Sequence, residues 1–313
     1  MLNKKIDSNF IISIIGLPAL LVVFFTIFGG NRFFSFINFF NIIQQSVAPS
    51  FVVWGICFVM IMGSYDMTPG VTIILSSMIS TLLAIKLGYI GLLLGGILTG
   101  LIIGAINGFS FLLFKVPSVI LTIGLVMIYE ILSSVLSKGR GLYLPDGLGL
   151  LSHAPYNLII WIIGGVIAYF LYNRTTIGLH IQTLGSSEKI AKNAGVNIGK
   201  TKLIGFLICA IFGGIGGVFY QSYGRFVQPQ IGLTSLLLVF PALTGFFYAL
   251  AISKRVNIII AVVVGQLTIN LLMNGLIIIK LPTTIQQMVM GALLICVVAF
   301  GPRGSSKNTL IVK

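Results

Sequence analysis

The chain has 313 residues, of which 57% are hydrophobic and only 8% are charged. A soluble domain has about 25% charged residues, so this composition, with a mean hydropathy of +1.11, excludes a soluble enzyme and predicts a polytopic membrane protein. The net charge of +14 does not indicate a nucleic-acid partner, because the basic residues stand in short loops between apolar runs, where they act as topology signals in a lipid bilayer.

Ten apolar runs follow one another along the chain, each near the roughly 20 residues that a transmembrane helix needs. They occupy residues 10–29, 41–62, 70–87, 88–107, 117–136, 156–173, 203–224, 233–252, 257–280 and 282–301. Ten spans place both termini on one side, and thirteen of the nineteen basic residues fall on that side. Because basic loops stay in the cytoplasm, the sequence predicts an all-α membrane protein of about ten helices, with both termini cytoplasmic and one transmembrane domain over residues 1–313.

Glycines recur at helical spacing on the fourth and seventh spans. The six positions are Gly96, Gly100, Gly104, Gly108, Gly213 and Gly217. Residues four apart share a helix face, and glycine on that face lets a neighbouring backbone approach closely. We expect these residues to be helix-packing positions rather than sliding contacts during transport.

Amide side chains recur four residues apart on the ninth span, at Gln266, Asn270 and Asn274. Polar side chains are costly in hydrocarbon, so these three should face the bundle interior or a water-filled cavity. They either line a translocation pathway for a hydroxyl-rich solute or form hydrogen bonds between helices. Gln45 on the second span and Asn107 on the fourth are assigned to the same pathway.

Two acidic residues lie within or next to spans. Asp66 stands between the second and third spans, and Glu130 lies toward the outer part of the fifth. A buried carboxylate can relay protons or cations, which would make the chain a secondary carrier or channel. An Asp at a helix break is more often an N-cap of the next helix, and Glu130 has no such explanation.

The sequence contains no arrangement that carries enzyme chemistry. The three cysteines fall in separate apolar runs. They lack the paired spacing that is typical of disulfides or metal sites. His153 and His180 are predicted on opposite sides of the membrane, and no phosphate-binding loop of the Gly-x-x-x-x-Gly-Lys-Ser/Thr type occurs. We therefore expect no catalytic residue, no metal and no cofactor.

One inner segment, residues 174–202, is long enough to contact a soluble partner. Its middle is predicted to be a short helix that begins at the N-cap Ser186 and stops at Gly195. The helix is too short to span and too polar to insert. Its small residues could seat closely in a cleft while Glu188 and neighbouring lysines pair with charges at the rim. The predicted contact residues are Ser186, Glu188, Ala191, Ala194 and Gly195.

Two short patterns echo one another five spans apart. Asn107-Gly108 closes the fourth span and is followed by Val116-Pro117, whereas Asn274-Gly275 closes the ninth and is followed by Leu281-Pro282. Copies separated by five spans run in opposite directions, so the echo predicts an inverted repeat, a common plan of transporters.

Several motifs occur in a familiar order. Residues 62–70 resemble Gly-Gly-Ile-Asp-Leu-Ser-Val-Gly, residues 104–108 resemble Gly-x-x-Asn-Gly, and residues 116–124 resemble Pro-Phe-Ile-x-Thr-Leu-Gly. Residues 175–178 fit Thr-x-x-Gly, and residues 185–196 resemble Gly-x-Asn-x-x-Ala-Ala-x-x-x-Gly-Ile. Asn274-Gly275-Leu276 resembles the end of the family's ninth span. Together these matches, spread from about residue 40 to residue 302, resemble the permeases of bacterial ABC importers for simple sugars, which are distantly akin to branched-chain amino-acid permeases.

The resemblance implies a permease subunit that forms a homo- or heterodimer in the bacterial inner membrane. It implies cytoplasmic ATP-binding subunits that hydrolyse ATP, and an extracytoplasmic solute-binding protein that delivers a monosaccharide-like solute. It also implies that the inner-loop helix from Ser186 to Gly195 is the coupling helix that docks into the ATPase. Glu130-Ile131 stands where the family has Arg-Gly. The alternatives are a secondary carrier or channel using Asp66 and Glu130, or an ABC permease for nucleosides or amino acids.

Overall fold

The computed structural model describes residues 8–253 and 256–300, and most of this part of the chain is helical. Its α-helices are α1 (Ser8–Gly29), α2 (Phe36–Gln45), α3 (Val47–Ile61), α4 (Pro69–Phe114), α5 (Ser118–Leu136), α6 (Tyr156–Arg174), α7 (Thr176–Ser186), α8 (Glu188–Asn193), α9 (Ile198–Gly224), α10 (Val239–Ile252), α11 (Ile258–Ile278) and α12 (Thr283–Phe300). Three 3-10 helices cover Gly30–Arg32, Leu150–Ser152 and Thr234–Leu238, and the strands are β1 (Leu142–Tyr143) and β2 (Phe226–Val227).

Seven helical segments in the described ranges are long and apolar enough to cross a membrane. One of them, α4, has 46 residues and is bent at Gly88, whose φ of 60° and ψ of −140° are not helical. Two shorter apolar helices, at Gly16–Arg32 and Thr283–Ala299, add to this set. The prediction of an all-α polytopic membrane protein is confirmed.

The most extensive helix contact in the described residues joins α4 and α9. Gly96, Gly100, Gly104 and Gly108 on the second half of α4 all face α9. A Cβ on Gly104 would lie 2.8 Å from the Cα of Leu207, which is too close for two non-bonded carbon atoms. The helices therefore touch backbone to backbone.

The other face of α9 packs against the first half of α4. A Cβ on Gly217 would lie 2.7 Å from the carbonyl oxygen of Ile73, whereas one on Gly213 would meet the Thr72 side chain at 3.3 Å. Because glycines occur on both faces, α9 fits between the two halves of α4. Helix α9 is thus the centre around which the bundle packs.

A small antiparallel ribbon ties the end of α9 to the loop that follows α5. Leu142 pairs with Val227 and Tyr143 with Phe226. The Gln221 amide nitrogen of α9 donates to the Leu142 carbonyl oxygen at 3.4 Å, and the Tyr89 hydroxyl donates to the Gly147 carbonyl oxygen at 2.6 Å. The loop over residues 137–155 is therefore fastened to the helices.

Two contacts fix helices around α3. The Trp54 indole nitrogen donates to the Ile259 carbonyl oxygen at 3.0 Å, joining α3 to α11. At the other end of α3, Gly185 of α7 lies against the Ile61 carbonyl oxygen with no space for a Cβ. The short helices α7 and α8 are consequently held against the end of the bundle.

Candidate functional site

A buried hydrogen-bond chain joins the start of α4 to α5 and to the second half of α4. The Tyr129 hydroxyl donates to Asn107 Oδ1 at 2.9 Å, and Asn107 Nδ2 donates to Thr68 Oγ1 at 2.7 Å. The Thr68 hydroxyl and backbone N–H both donate to Asp66 Oδ1, at 2.7 and 2.8 Å. Asp66 therefore fixes the backbone just ahead of α4, but the prediction that it is the N-cap is wrong, because Thr68 occupies the N-cap position.

The position of Asn107 differs from its predicted role. Its side chain is fully buried and both amide atoms are bonded within the chain. Asn107 therefore joins α4 to α5 instead of lining an open path in this conformation. The partners Thr68 and Tyr129 were not singled out in the sequence, because a bond from residue 129 to residue 107 leaves no periodic signal.

Glu130 has a structural role that the sequence did not reveal. Its carboxylate is 1% exposed and accepts from two backbone N–H groups, Leu233 at 2.8 Å and Ser235 at 2.9 Å. Each carboxylate oxygen accepts one backbone N–H, so Glu130 fixes the position of the Leu233–Ser235 backbone relative to α5. The alternative of a carrier that relays ions through Glu130 therefore gains no support.

The amides of α11 form no hydrogen bond to another helix within the described residues. Gln266 is fully buried and lies against Gly245 of α10, and neither of its amide atoms has a partner there. Asn274 is 9% exposed with an unpartnered Oδ1. Asn270 donates only to the Gln266 carbonyl of its own helix, at 3.0 Å. Interhelical bonding thus gains no support, and the Gln266 amide and the Asn274 Oδ1 are buried without a partner among the described residues.

Gln45 forms its hydrogen bond with α9 and not with the α11 amides. It is the last residue of α2, and its Nε2 donates to the Tyr223 hydroxyl near the end of α9 at 2.8 Å. The structure does not bring Gln45 together with Asn107, which lies in the buried hydrogen-bond chain. Of the five predicted pathway residues, only those on α11 share one helix face.

The inner loop contains a short helix, but its boundaries differ from those predicted. Ser186 ends α7, and Ser187 is the N-cap of α8, accepting from the Ile190 N–H at 3.4 Å. Either of the two adjacent serines could serve as the N-cap of α8. Because α7 continues to Ser186, Ser187 takes the N-cap position. Gly195, with φ of 76°, follows α8 as expected.

The residues of α8 divide into a buried and an exposed set. Ala191 is fully buried in the apolar core, so it supports the helix and offers no contact surface. Glu188 and Ala194 are exposed, and Glu188 lies 3.5 Å from the Lys202 ammonium. Ile190 is 59% exposed, and its apolar side chain was not among the predicted contact residues.

No group of three or more His, Cys, Asp or Glu side chains that could hold a metal ion occurs in the described part of the chain. Cys57 and Cys209 are buried and Cys296 is exposed. The buried polar side chains of the described residues are amides, hydroxyls and the carboxylates of Asp66 and Glu130.

Comparison with known proteins identifies the family. Residues 38–298 match the family described as branched-chain amino acid transport system / permease component. The chain is 27% identical to the D-allose transport system permease protein AlsC of Escherichia coli K12, covering 90% of this chain and 88% of that protein. It is 25% identical to the ribose import permease protein RbsC of the same strain, covering 84% of each.

A third relative is the L-arabinose transport system permease protein AraH of Escherichia coli K12, 26% identical over 90% of this chain and 89% of that protein. No solved structure matches the chain. The family match extends from α2 to α12 and so includes nearly every helix described above. The chain therefore belongs to this permease-component family, and it is a multi-pass inner-membrane transport subunit rather than an enzyme.

Proposed function

We propose that the chain is the permease subunit of an ATP-binding cassette importer for a monosaccharide-like solute. The family match over residues 38–298 carries this proposal. The relatives named for D-allose, ribose and L-arabinose support the solute class. Because the sequence has no nucleotide-binding loop, ATP hydrolysis takes place on separate cytoplasmic subunits, and an extracytoplasmic binding protein supplies the solute.

The proposed subunit crosses the membrane ten times as one domain over residues 1–313, with both termini in the cytoplasm, and pairs with a second permease subunit. The bend at Gly88 supports counting α4 as two spans. The shorter apolar helices at the two ends of the described chain supply two more. The excess of basic residues in the predicted inner segments gives the orientation.

The solute pathway in this proposal passes the amides Gln266, Asn270 and Asn274, and Gln45 borders it. The buried, unpartnered atoms of Gln266 and Asn274 support this assignment. An unpaired buried amide costs roughly 1–3 kcal/mol, so a hydroxyl-bearing solute or water that bonds to it stabilises the site. The same groups would not attract an apolar solute.

The cytoplasmic contact in this proposal is α8 with its flanking residues Ser186, Ala194 and Gly195. The exposed Ile190 is its apolar anchor, Glu188 and the lysines form a charged rim, and Ala191 fixes the helix to the bundle. Because Ile190 is 59% exposed, its side chain is free to enter an apolar cleft of a partner. A rigid helix at this place can transmit movement from an ATPase.

Reconstitution tests the function directly. Proteoliposomes that contain the permease, its ATP-binding subunits and its binding protein should take up radiolabelled D-ribose, D-allose or L-arabinose only with ATP. Matched vesicles without ATP, or without the binding protein, are the controls. Sugar uptake by the chain alone without ATP would refute the importer. Uptake of a nucleoside or amino acid, and of none of these sugars, would refute the solute class.

A further inference from the structure

The chain between β2 and α10 is not α-helical, although it lies among transmembrane helices. Residues 228–233 have no regular structure and lead into the 3-10 helix Thr234–Leu238. We name Gln228–Leu238 the connecting segment. Just before it, Val227 packs against Ile74 and Met78 of α4.

The connecting segment runs along α4. Its Ser235 carbonyl oxygen lies against Gly70, with no space for a Cβ on that glycine. From Met78 to Gly70 is eight residues of helix, which corresponds to about 12 Å along the axis. The chain therefore moves well into the bundle between Val227 and Ser235.

The depth of the segment follows from its bonds to α5. Ser235 and Leu233 bind Glu130, which is twelve residues after the start of α5 and six before its end. At 1.5 Å per residue, Glu130 is about 18 Å from one end of this span and about 9 Å from the other. The backbone that it holds is consequently inside the layer that α5 crosses.

Much of this deep segment is nevertheless exposed and polar. Gln228, Gly232 and Thr234 are exposed, and Ile231 is 60% exposed. The Thr234 hydroxyl donates toward Gln230 Oε1 at 2.9 Å. Within the described residues, the backbone N–H groups of Gln230, Ile231 and Gly232 make no hydrogen bond.

Unpaired backbone N–H groups are not tolerated in lipid, where each costs several kcal/mol. Non-helical backbone at membrane depth occurs only where protein buries it or water reaches it. No described residue pairs the exposed N–H groups of the connecting segment, so they meet either water or the second permease subunit of the proposed dimer. We propose that this segment lines the solute pathway, that Gln230 and Thr234 present their amide and hydroxyl to a hydroxyl-bearing solute, and that Glu130 is the positioning residue holding it at this depth.

This inference rests on the proposed function, but water access can be tested without any sugar. In a Cys296→Ala background, which leaves only the two buried cysteines, Thr234→Cys and Ile231→Cys would be treated in native membranes with a charged methanethiosulfonate. Ile163→Cys is the matched control, because Ile163 is 51% exposed in the middle of α6 without a polar neighbour to admit water. We expect both segment variants to react at least tenfold faster than the control. Equal, slow reaction of all three would overturn the lining role.

Solute contact is tested by sugar uptake in the reconstituted importer. Gln230→Leu and Thr234→Val should each raise the KM for uptake at least fivefold with unchanged expression, whereas Gln287→Leu, an exposed amide on α12, should not. Normal uptake by both segment variants would overturn the contact. The two experiments together separate the failure of this inference from the failure of the proposed function. If Thr234→Cys reacts but the wild-type complex moves no sugar, the proposed function fails and the aqueous lining stands. If the wild type transports but the segment is unreactive, only this inference fails.

Discussion

At the scale of single residues, the buried polar groups are arranged as hydrogen-bond partners from distant parts of the chain. Asp66, Thr68, Asn107 and Tyr129 form one continuous chain of bonds. Such a group stabilises the bundle only while each member remains paired, because a lost partner leaves a polar atom without water to replace it. The strength of the group can be measured by removing one hydroxyl.

Tyr129→Phe should lower the free energy of unfolding by about 1 kcal/mol, because it deletes one hydrogen bond and leaves Asn107 Oδ1 unpaired. The measurement is thermal unfolding of the purified protein in detergent. Tyr156→Phe removes a hydroxyl from a half-exposed ring and should leave the melting temperature unchanged. Identical melting temperatures for the two variants would show that the Tyr129 bond does not stabilise the protein.

At the scale of helices, the contact of α4 with α9 depends on the absence of side chains. A Cβ on Gly100 would lie 2.8 Å from the Ile211 Cα, so Gly100→Ala must push the helices apart. We expect a loss of roughly 1–3 kcal/mol, as for other overpacked cores. Gly124 of α5 has nothing within 4 Å of the added Cβ, so Gly124→Ala should preserve or slightly raise stability.

The Gly100 prediction is measured by the melting temperatures of the two alanine variants against the wild type. The two substitutions add the same methyl group to a transmembrane helix, so their difference isolates the interhelical contact. A Gly100→Ala protein as stable as the Gly124→Ala protein would mean that α4 and α9 can separate without cost.

The proposed coupling role of α8 is testable at the same scale. Ile190→Asp should leave the melting temperature of the isolated permease unchanged, because this side chain is exposed, but should weaken ATPase binding at least tenfold in a pull-down assay. Ile190→Leu keeps an apolar anchor and should bind normally. A bulky residue at Ala191 would test folding instead, because Ala191 is buried. Normal ATPase binding by Ile190→Asp would exclude Ile190 as the anchor.

At the scale of the whole molecule, the proposed ten-span topology predicts which side of the membrane each loop faces. Tyr143 is 73% exposed on the ribbon, and Asn193 is exposed at the end of α8. In the Cys296→Ala background, an impermeant maleimide should label Tyr143→Cys in intact spheroplasts. It should label Asn193→Cys only after lysis. The reverse result would invert the topology, and labelling of both in intact spheroplasts would contradict the span count.

The sequence alone determined the fold class, the positions of the apolar runs, the packing surface of α4 and the presence of a short helix in the inner loop. These features are local, since hydrophobicity over about 20 residues and glycine at every fourth position depend only on neighbours in the chain. The tertiary structure decided what the polar residues do. Asn107 became a buried hydrogen-bond partner, Glu130 an acceptor that holds backbone more than a hundred residues away, and Gln228–Leu238 a segment without α-helix inside the bundle. Their roles depend on which helices become neighbours, and packing between distant segments decides that.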